Sequence, residues 1–182
     1  LKDSEKKVFY HYLIPSICST LVTSIYILVD TLIIGQGVGA SGISALNIIL
    51  PIYSLYMGIG LLFGIGGGIL MSTEDGLGNT DKSNRYFVLS VLSISLVTIV
   101  FTVFCVLNLR EISYFLGAND SSIDLVMEYG KYIVWASPIF ICTNFLGPIV
   151  RNRKNPNLCM IAVLLGAGLN IVLDYLFVFP MQ

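Results

Sequence analysis

The chain has 182 residues, of which 55% are hydrophobic and 12% charged, with a formal net charge of −1 and a mean hydropathy of +0.85. Soluble domains carry about 25% charged residues, so the composition excludes an ordinary soluble domain and places the chain in a lipid bilayer; the net charge says little about partners, because the location of charge matters more than its sum. Cys18, Cys105, Cys142 and Cys159 all fall in apolar stretches without a CxxC pair, which reads as helix packing rather than a disulfide or zinc framework.

A helix needs about 20 residues to cross the hydrocarbon core, and five segments qualify: residues 8–34, 43–72, 86–108, 125–150 and 157–179. Residues 2–7 are charged, but the apolar stretch behind them is too long for a signal peptide and lacks a small-residue cleavage site, so it reads as a retained first helix. Pro15 lies inside that helix, and Gly35-Gln36-Gly37-Val38-Gly39 ends it. Ser41 is placed to cap the second helix, which carries Pro51 and a crowd of glycines from Gly58 to Gly68; Gly64 and Gly68 have the GxxxG spacing of close helix contacts. Gly76-Leu77-Gly78-Asn79 breaks the chain before the third helix. Gly117-Ala118-Asn119-Asp120 does so before the fourth, with Ser121 or Ser122 as its N-cap. The fourth helix contains Pro138, and residues 151–156 separate it from the fifth. Tyr129, Tyr132 and Trp135 look like an interfacial aromatic belt, and Glu128 and Lys131 are spaced to pair. His11 reads as an interfacial polar residue at the start of the first helix.

Positive charge sets the orientation. With the N-terminus cytoplasmic, the inner segments hold Lys2, Lys6, Lys7, Lys82, Arg85, Arg151, Arg153 and Lys154, leaving Arg110 and Lys131 towards the outside. Five spans then leave the C-terminus outside, and an odd count with an abrupt end suggests a part of a longer protein.

Two carboxylates violate the apolar pattern. Asp30 lies in SIYILVDTLIIG and Asp174 in LNIVLDYLFVF, four residues after Asn170. An ionised carboxylate at the bilayer centre costs roughly 2.5–3.5 kcal/mol on insertion scales, so such a group is shielded, paired or functional. Residues at i and i+4 share a helix face, so Asn170 and Asp174 form half of a candidate cation or proton site, which Asp30 completes if the first and fifth helices are neighbours. Tyr26, Asn47, Tyr53, Tyr56 and Asn144 are candidate linings of a substrate cavity; for Asn47 and Asn144, helix–helix hydrogen bonds are the competing role.

Residues 29–52, VDTLIIGQGVGASGISALNIILPI, resemble the first and second helices of the MATE (multidrug and toxic compound extrusion) transporters. GIGLLFGIGGGILMS (residues 58–72) resembles the end of that second helix, and VRNRKNPNLCMIAVLLGAGLNIVLDYLFVF (residues 150–179) the cytoplasmic loop and fifth helix. The resemblance implies an all-α membrane protein: five transmembrane helices of a six-helix N-terminal lobe with a cytoplasmic N-terminus, the sixth helix and the whole C-terminal lobe lying outside this chain. It implies a multi-pass protein of a prokaryotic plasma membrane. The family couples export of lipophilic, mostly cationic drugs to entry of sodium or protons. In many members the coupling site is an aspartate on the first helix with an Asn and an Asp four apart on the fifth. Asp30, Asn170 and Asp174 match these, and would be the sodium ligands if sodium is the ion. No other cofactor is implied, and no nucleic acid; the partners are the bilayer, small lipophilic cations and the missing lobe. The acidic TEDGLGN at residues 73–79, and Lys154 where a glycine is common, depart from the family pattern.

Three other readings compete. A lipid-linked oligosaccharide flippase of related fold would carry clustered cations in its cavity, whereas these spans carry carboxylates. An intramembrane aspartyl protease would carry GxGD, which neither Asp30 nor Asp174 has. An inactive fragment would keep the packing residues alone. With no phosphate-binding loop, zinc cluster or nucleophile triad, the chain reads as a transporter segment and not an enzyme. The charge-derived orientation predicts that, in the complete protein carrying this chain, a membrane-impermeant thiol label reaches Asp120→Cys in intact cells and Leu77→Cys only after permeabilisation; the reverse pattern would invert the topology.

Overall fold

Hydrocarbon offers no hydrogen-bond partner, so a chain crossing it must satisfy its backbone internally, as a helix does. The computed structural model describes residues 3–37, 39–153 and 156–178. It consists of α1 (Asp3–Gly37), α2 (Gly39–Gly76), α3 (Thr80–Phe115), α4 (Ile123–Asn152) and α5 (Pro156–Val178). Each holds an apolar stretch long enough to span a membrane, and the chain is a multi-pass, all-α membrane protein. Its large aliphatic side chains point outward, Leu107 at 75% and Leu165 at 70% exposure, as suits helices solvated by lipid.

The helices outrun the apolar segments that predicted them. α3 was expected over residues 86–108 and runs from Thr80 to Phe115. Hydropathy marks only the hydrocarbon crossing, whereas helical hydrogen bonding continues through polar ends such as TDKSNR and REISYF. The expected end at Asn108 is instead a kink: its backbone sits at φ −118°, ψ 18°, and its amide nitrogen donates to the Phe104 carbonyl at 2.9 Å. Side-chain competition for an i−4 carbonyl distorts a helix without stopping it.

Cap assignments also shift. Ser41 lies inside α2, not at its start. Ser122 occupies the N-cap of α4 without a side-chain capping bond. Asn119 instead shapes the turn ahead of it: its Oδ1 accepts the backbone N–H groups of Ser121 (3.2 Å) and Ser122 (3.0 Å), and its backbone carbonyl accepts the N–H of Ile123, the first residue of α4, at 2.9 Å. The turns after α2 and α3 use Gly78 (φ +79°) and Gly117 (φ +109°), positions where a Cβ would be strained. The expected break at residues 35–39 falls where α1 gives way to α2. Val38 within it, Lys154 and the end of the predicted fifth helix at Phe179 lie outside the described residues.

The chain divides into two compact units, one with α1 and α5, the other with α2, α3 and α4. In the three-helix unit, Ile49, Tyr56, Val126, Val134, Ile141 and Phe145 are buried. The glycines of α2 make this packing possible. A Cβ on Gly60 would stand 2.8 Å from both Asn144 Cβ and the Ile141 carbonyl of α4, and one on Gly64 would stand 2.7 Å from the Phe145 carbonyl. Gly67 faces Ser90 of α3 and Gly68 faces Asn152. Backbones that close gain dispersion contacts that lipid cannot replace. Near the turns, Arg153 donates from Nη2 to Asn84 Oδ1 at 3.2 Å and pairs through Nη1 with Asp75 at 3.8 Å, joining the neighbouring ends of α2, α3 and α4. At the other end Lys131 stands over the Tyr132 ring, 4.8 Å from its centroid, instead of pairing with Glu128.

Gly64→Ala must push α2 off the α4 backbone and is expected to lower stability by about 1–3 kcal/mol, the usual cost of overpacking. Gly58→Ala, with open space at its Cβ, is the matched control and should melt like the wild type in detergent.

Candidate ion-coupling site

α1 and α5 pack side by side. The stripe that α1 turns inward starts at Pro15 and Ser19, both buried. Pro15 removes one backbone donor from the helix ladder, and the Ser19 hydroxyl donates to the Pro15 carbonyl at 2.7 Å. Continuing at helical spacing, the same stripe presents Tyr26 and Asp30, both half-buried. The facing stripe of α5 runs through buried Ala167 to half-buried Asn170 and Asp174. A small residue at 167 lets the helices approach one turn below the polar groups.

Two i, i+4 pairs therefore meet across one helix contact. The Asp30 and Asp174 carboxyls lie close enough to interact electrostatically, and the Tyr26 hydroxyl lies in the field of both. Asn170 Oδ1 and Asp174 Oδ2 are buried and have no hydrogen-bond partner. An orphaned buried acceptor costs about 1–3 kcal/mol, more when charged, so two together on one face describe an incomplete coordination shell. The donor set is all oxygen: carboxylate, amide carbonyl and phenol. That suits a hard monovalent cation or a proton rather than a thiolate- or imidazole-seeking transition metal. Among the described residues, no group of three or more His, Cys, Asp or Glu gathers to hold a metal ion. Two carboxylates that face each other repel when both are ionised; a proton or cation between them removes that repulsion and supplies the missing partner.

The other predicted cavity residues belong to the three-helix unit. Asn47 is exposed on α2. Tyr53 makes an edge-to-face contact with Phe140, centroids 5.0 Å apart. Tyr56 is fully buried, edge-on to Phe101 at 5.0 Å, its hydroxyl without a partner beside the Thr102–Ser137 hydroxyl pair. Asn144 donates its amide to Phe140 O in its own helix at 2.9 Å, and its Cβ faces Gly60. Tyr56 is thus packed inside that unit, and Asn144 is half-buried with its amide bonded within its own helix. Tyr26 lies beside the carboxyl pair. Its spacing four residues before Asp30 was the signal for this.

The MatE family profile matches residues 15–176. The chain belongs to the MatE family. Among curated relatives, the multidrug export protein MepA of Staphylococcus saprophyticus is 31% identical over 183 residues, covering 98% of this chain and 40% of that protein. MepA of Staphylococcus aureus is 31% identical over 182 residues, covering 95% of this chain and 38% of its own length. A MATE crystal structure in complex with MaD3S superimposes with a TM-score of 0.90 at 22% identity, over 97% of this chain and 40% of that one. The chain thus spans about two-fifths of the length of these relatives.

In sodium-free buffer at neutral pH, Asp30→Asn removes one of the two facing charges. Like charges about 4 Å apart at an effective dielectric of 20 repel by about 4 kcal/mol as an upper bound. The complete protein carrying this substitution is expected to melt a few degrees higher than wild type in choline buffer. A variant that melts lower than wild type there would detach Asp30 from the carboxyl pair.

Proposed function

We propose that this chain is part of the N-terminal lobe of a cation-coupled exporter, and that Asp30, Asn170 and Asp174 hold the coupling ion, sodium or a proton, with Tyr26 at their edge. The observation that carries this reading is the meeting of two membrane-embedded carboxyls on neighbouring helices, with Asn170 Oδ1 and Asp174 Oδ2 buried and unpartnered. A membrane protein retains such groups where an ion passes. The kinship with multidrug export proteins supports export as the activity, and the oxygen-only shell supports a hard cation.

Coupling follows from differential affinity. With the site empty, carboxylate repulsion favours separation of the α1 and α5 polar stripes; with the ion bound, their approach is favoured. An ion drives a conformational change only through such a difference in affinity between the two arrangements. Pro15, with its missing backbone donor, leaves α1 the more deformable of the two helices. Lipophilic cations are the proposed cargo, because an anionic site in an apolar surround attracts them by charge and by burial together. The kinship with export proteins supports transport rather than catalysis.

Asp174→Asn keeps the shape of the side chain and removes its charge. In the complete protein it is expected to abolish sodium- or pH-driven efflux of an ethidium-like dye, at least tenfold below wild type, with unchanged membrane expression. Near-normal ion-driven efflux by this variant would remove Asp174 from coupling, and competition by anionic compounds alone would overturn the cationic cargo.

A further inference from the structure

Within the three-helix unit a groove of about 600 Å³ lies between α3 and α4, and no part of the coupling scheme uses it. Val91, Ile99 and Val103 line it from α3, and Ile141, Cys142 and Leu146 from α4; no charged residue does. From Val91 to Val103 it follows α3 for about 18 Å at 1.5 Å per residue. The hydrocarbon core is about 30 Å thick; counted from residue 86, the groove begins about 7.5 Å inside it and runs past the midplane, so a chain entering from that end fills its near half.

The same two helices become basic where they leave the core towards the turn after α2. Arg85 lies about 9 Å along α3 from Val91, and Arg151 about 7.5 Å along α4 from Leu146. Arg153 lies just beyond, bonded to Asn84 of α3 at 3.2 Å, so the helices are joined where the line of the groove reaches the interface. Lys82 stands one turn further out. Lys82, Arg85, Arg151 and Arg153 are exposed. The acids at this end are Glu74, Asp75 and Asp81. Asp75 is engaged by Arg153 at 3.8 Å and Glu74 accepts from Asn79 Nδ2 at 2.9 Å. An uncharged slot with arginines one to two helical turns beyond its near end matches a molecule with a hydrocarbon tail and an anionic head.

We propose that the α3–α4 groove is a binding site for an anionic phospholipid of the leaflet at the arginine-bearing end, cytoplasmic by the charge rule. One acyl chain lies between α3 and α4, and the phosphodiester sits among Arg85, Arg151 and Arg153. Burial of the chain along Val91 and Leu146 supplies affinity common to every phospholipid. The arginines supply the preference for a net negative head, about fivefold for each basic residue near the surface.

The test is photocrosslinking of the complete protein, in vesicles of constant composition, with trace phosphatidylglycerol or phosphatidylcholine carrying a diazirine in the acyl chain. Crosslinked peptides are mapped by mass spectrometry. Phosphatidylglycerol is expected to label residues 91–103 and 138–146 at least fivefold more than phosphatidylcholine does. Arg85→Gln, which has no partner in the helix packing described above, should reduce that ratio about fivefold. Arg110→Gln, at the opposite end of α3, should leave it unchanged. Equal labelling by the two lipids would reduce the groove to ordinary lipid contact and overturn the proposal. Absence of labelling in these peptides, with labelling elsewhere on the protein, would mean that a helix of the remaining protein covers the groove, and would overturn it as well. None of these outcomes bears on Asp30 or Asp174, so the proposal fails or stands apart from the coupling scheme.

Discussion

A polar group in hydrocarbon must find its partner inside the protein, because the solvent has none to offer. That constraint makes every described element a helix, since a helix pairs its own backbone. It also singles out the few groups left over. Ser19 and Asn108 meet it locally, by bonding carbonyls four residues back. Thr102 and Ser137 meet it across α3 and α4, with hydroxyls 2.9 Å apart. Four buried side-chain atoms among the described residues do not meet it: Tyr56 Oη, Ser83 Oγ, Asn170 Oδ1 and Asp174 Oδ2. The last two share one helix face beside a second carboxyl, and the proposed ion site rests on that grouping.

Apolar burial cannot hold such helices together, because lipid is as apolar as a leucine side chain. The packing relies on proximity instead. On α2, glycines at 60, 64, 67 and 68 each meet a neighbouring helix at a distance that a methyl group would violate, whereas Gly58 and Gly66 meet nothing. The glycine crowd is therefore two populations: one that fits α2 to α3 and α4, and one free of steric demand. Ala167 plays the comparable part on α5, a small side chain that admits α1 close to the site. Large side chains such as Leu96 and Trp135 face outward, where lipid accommodates any shape.

Charge is sorted in the same way. Apart from the carboxyl pair, ionised residues gather at helix ends, where head groups and water solvate them. Arg153 illustrates the economy of the arrangement: one guanidinium at the end of α4 reaches both Asp75 and Asn84, so a single exposed residue joins three helix ends. An exposed ion pair adds only about 0–1 kcal/mol. Its role here is more one of alignment than of stability.

The amino-acid sequence by itself determined the class, the number of spans, the turns at Gly78 and Gly117, and the pairing of Asn170 with Asp174 on one face. All of these are local: hydropathy over about twenty residues, glycine at positive φ, and a spacing of four within a helix. Helix ends were not legible, because α3 continues through polar residues that hydropathy counts as loop and bends at Asn108 through a side-chain bond that hydropathy does not register. Caps were misplaced for a related reason: the Asn119 carbonyl takes the first N–H of α4 and its side chain closes the turn ahead of it, an arrangement that only the folded loop forms. The approach of Asp30 to Asp174 was decided by tertiary structure alone, since residues 144 positions apart in the chain meet only when α1 packs on α5. The same packing brought Tyr26 to the carboxyl pair, and the packing of the three-helix unit closed Tyr56 into its interior. Which faces touch is a property of helix pairs, and no single helix carries it in its own periodicity.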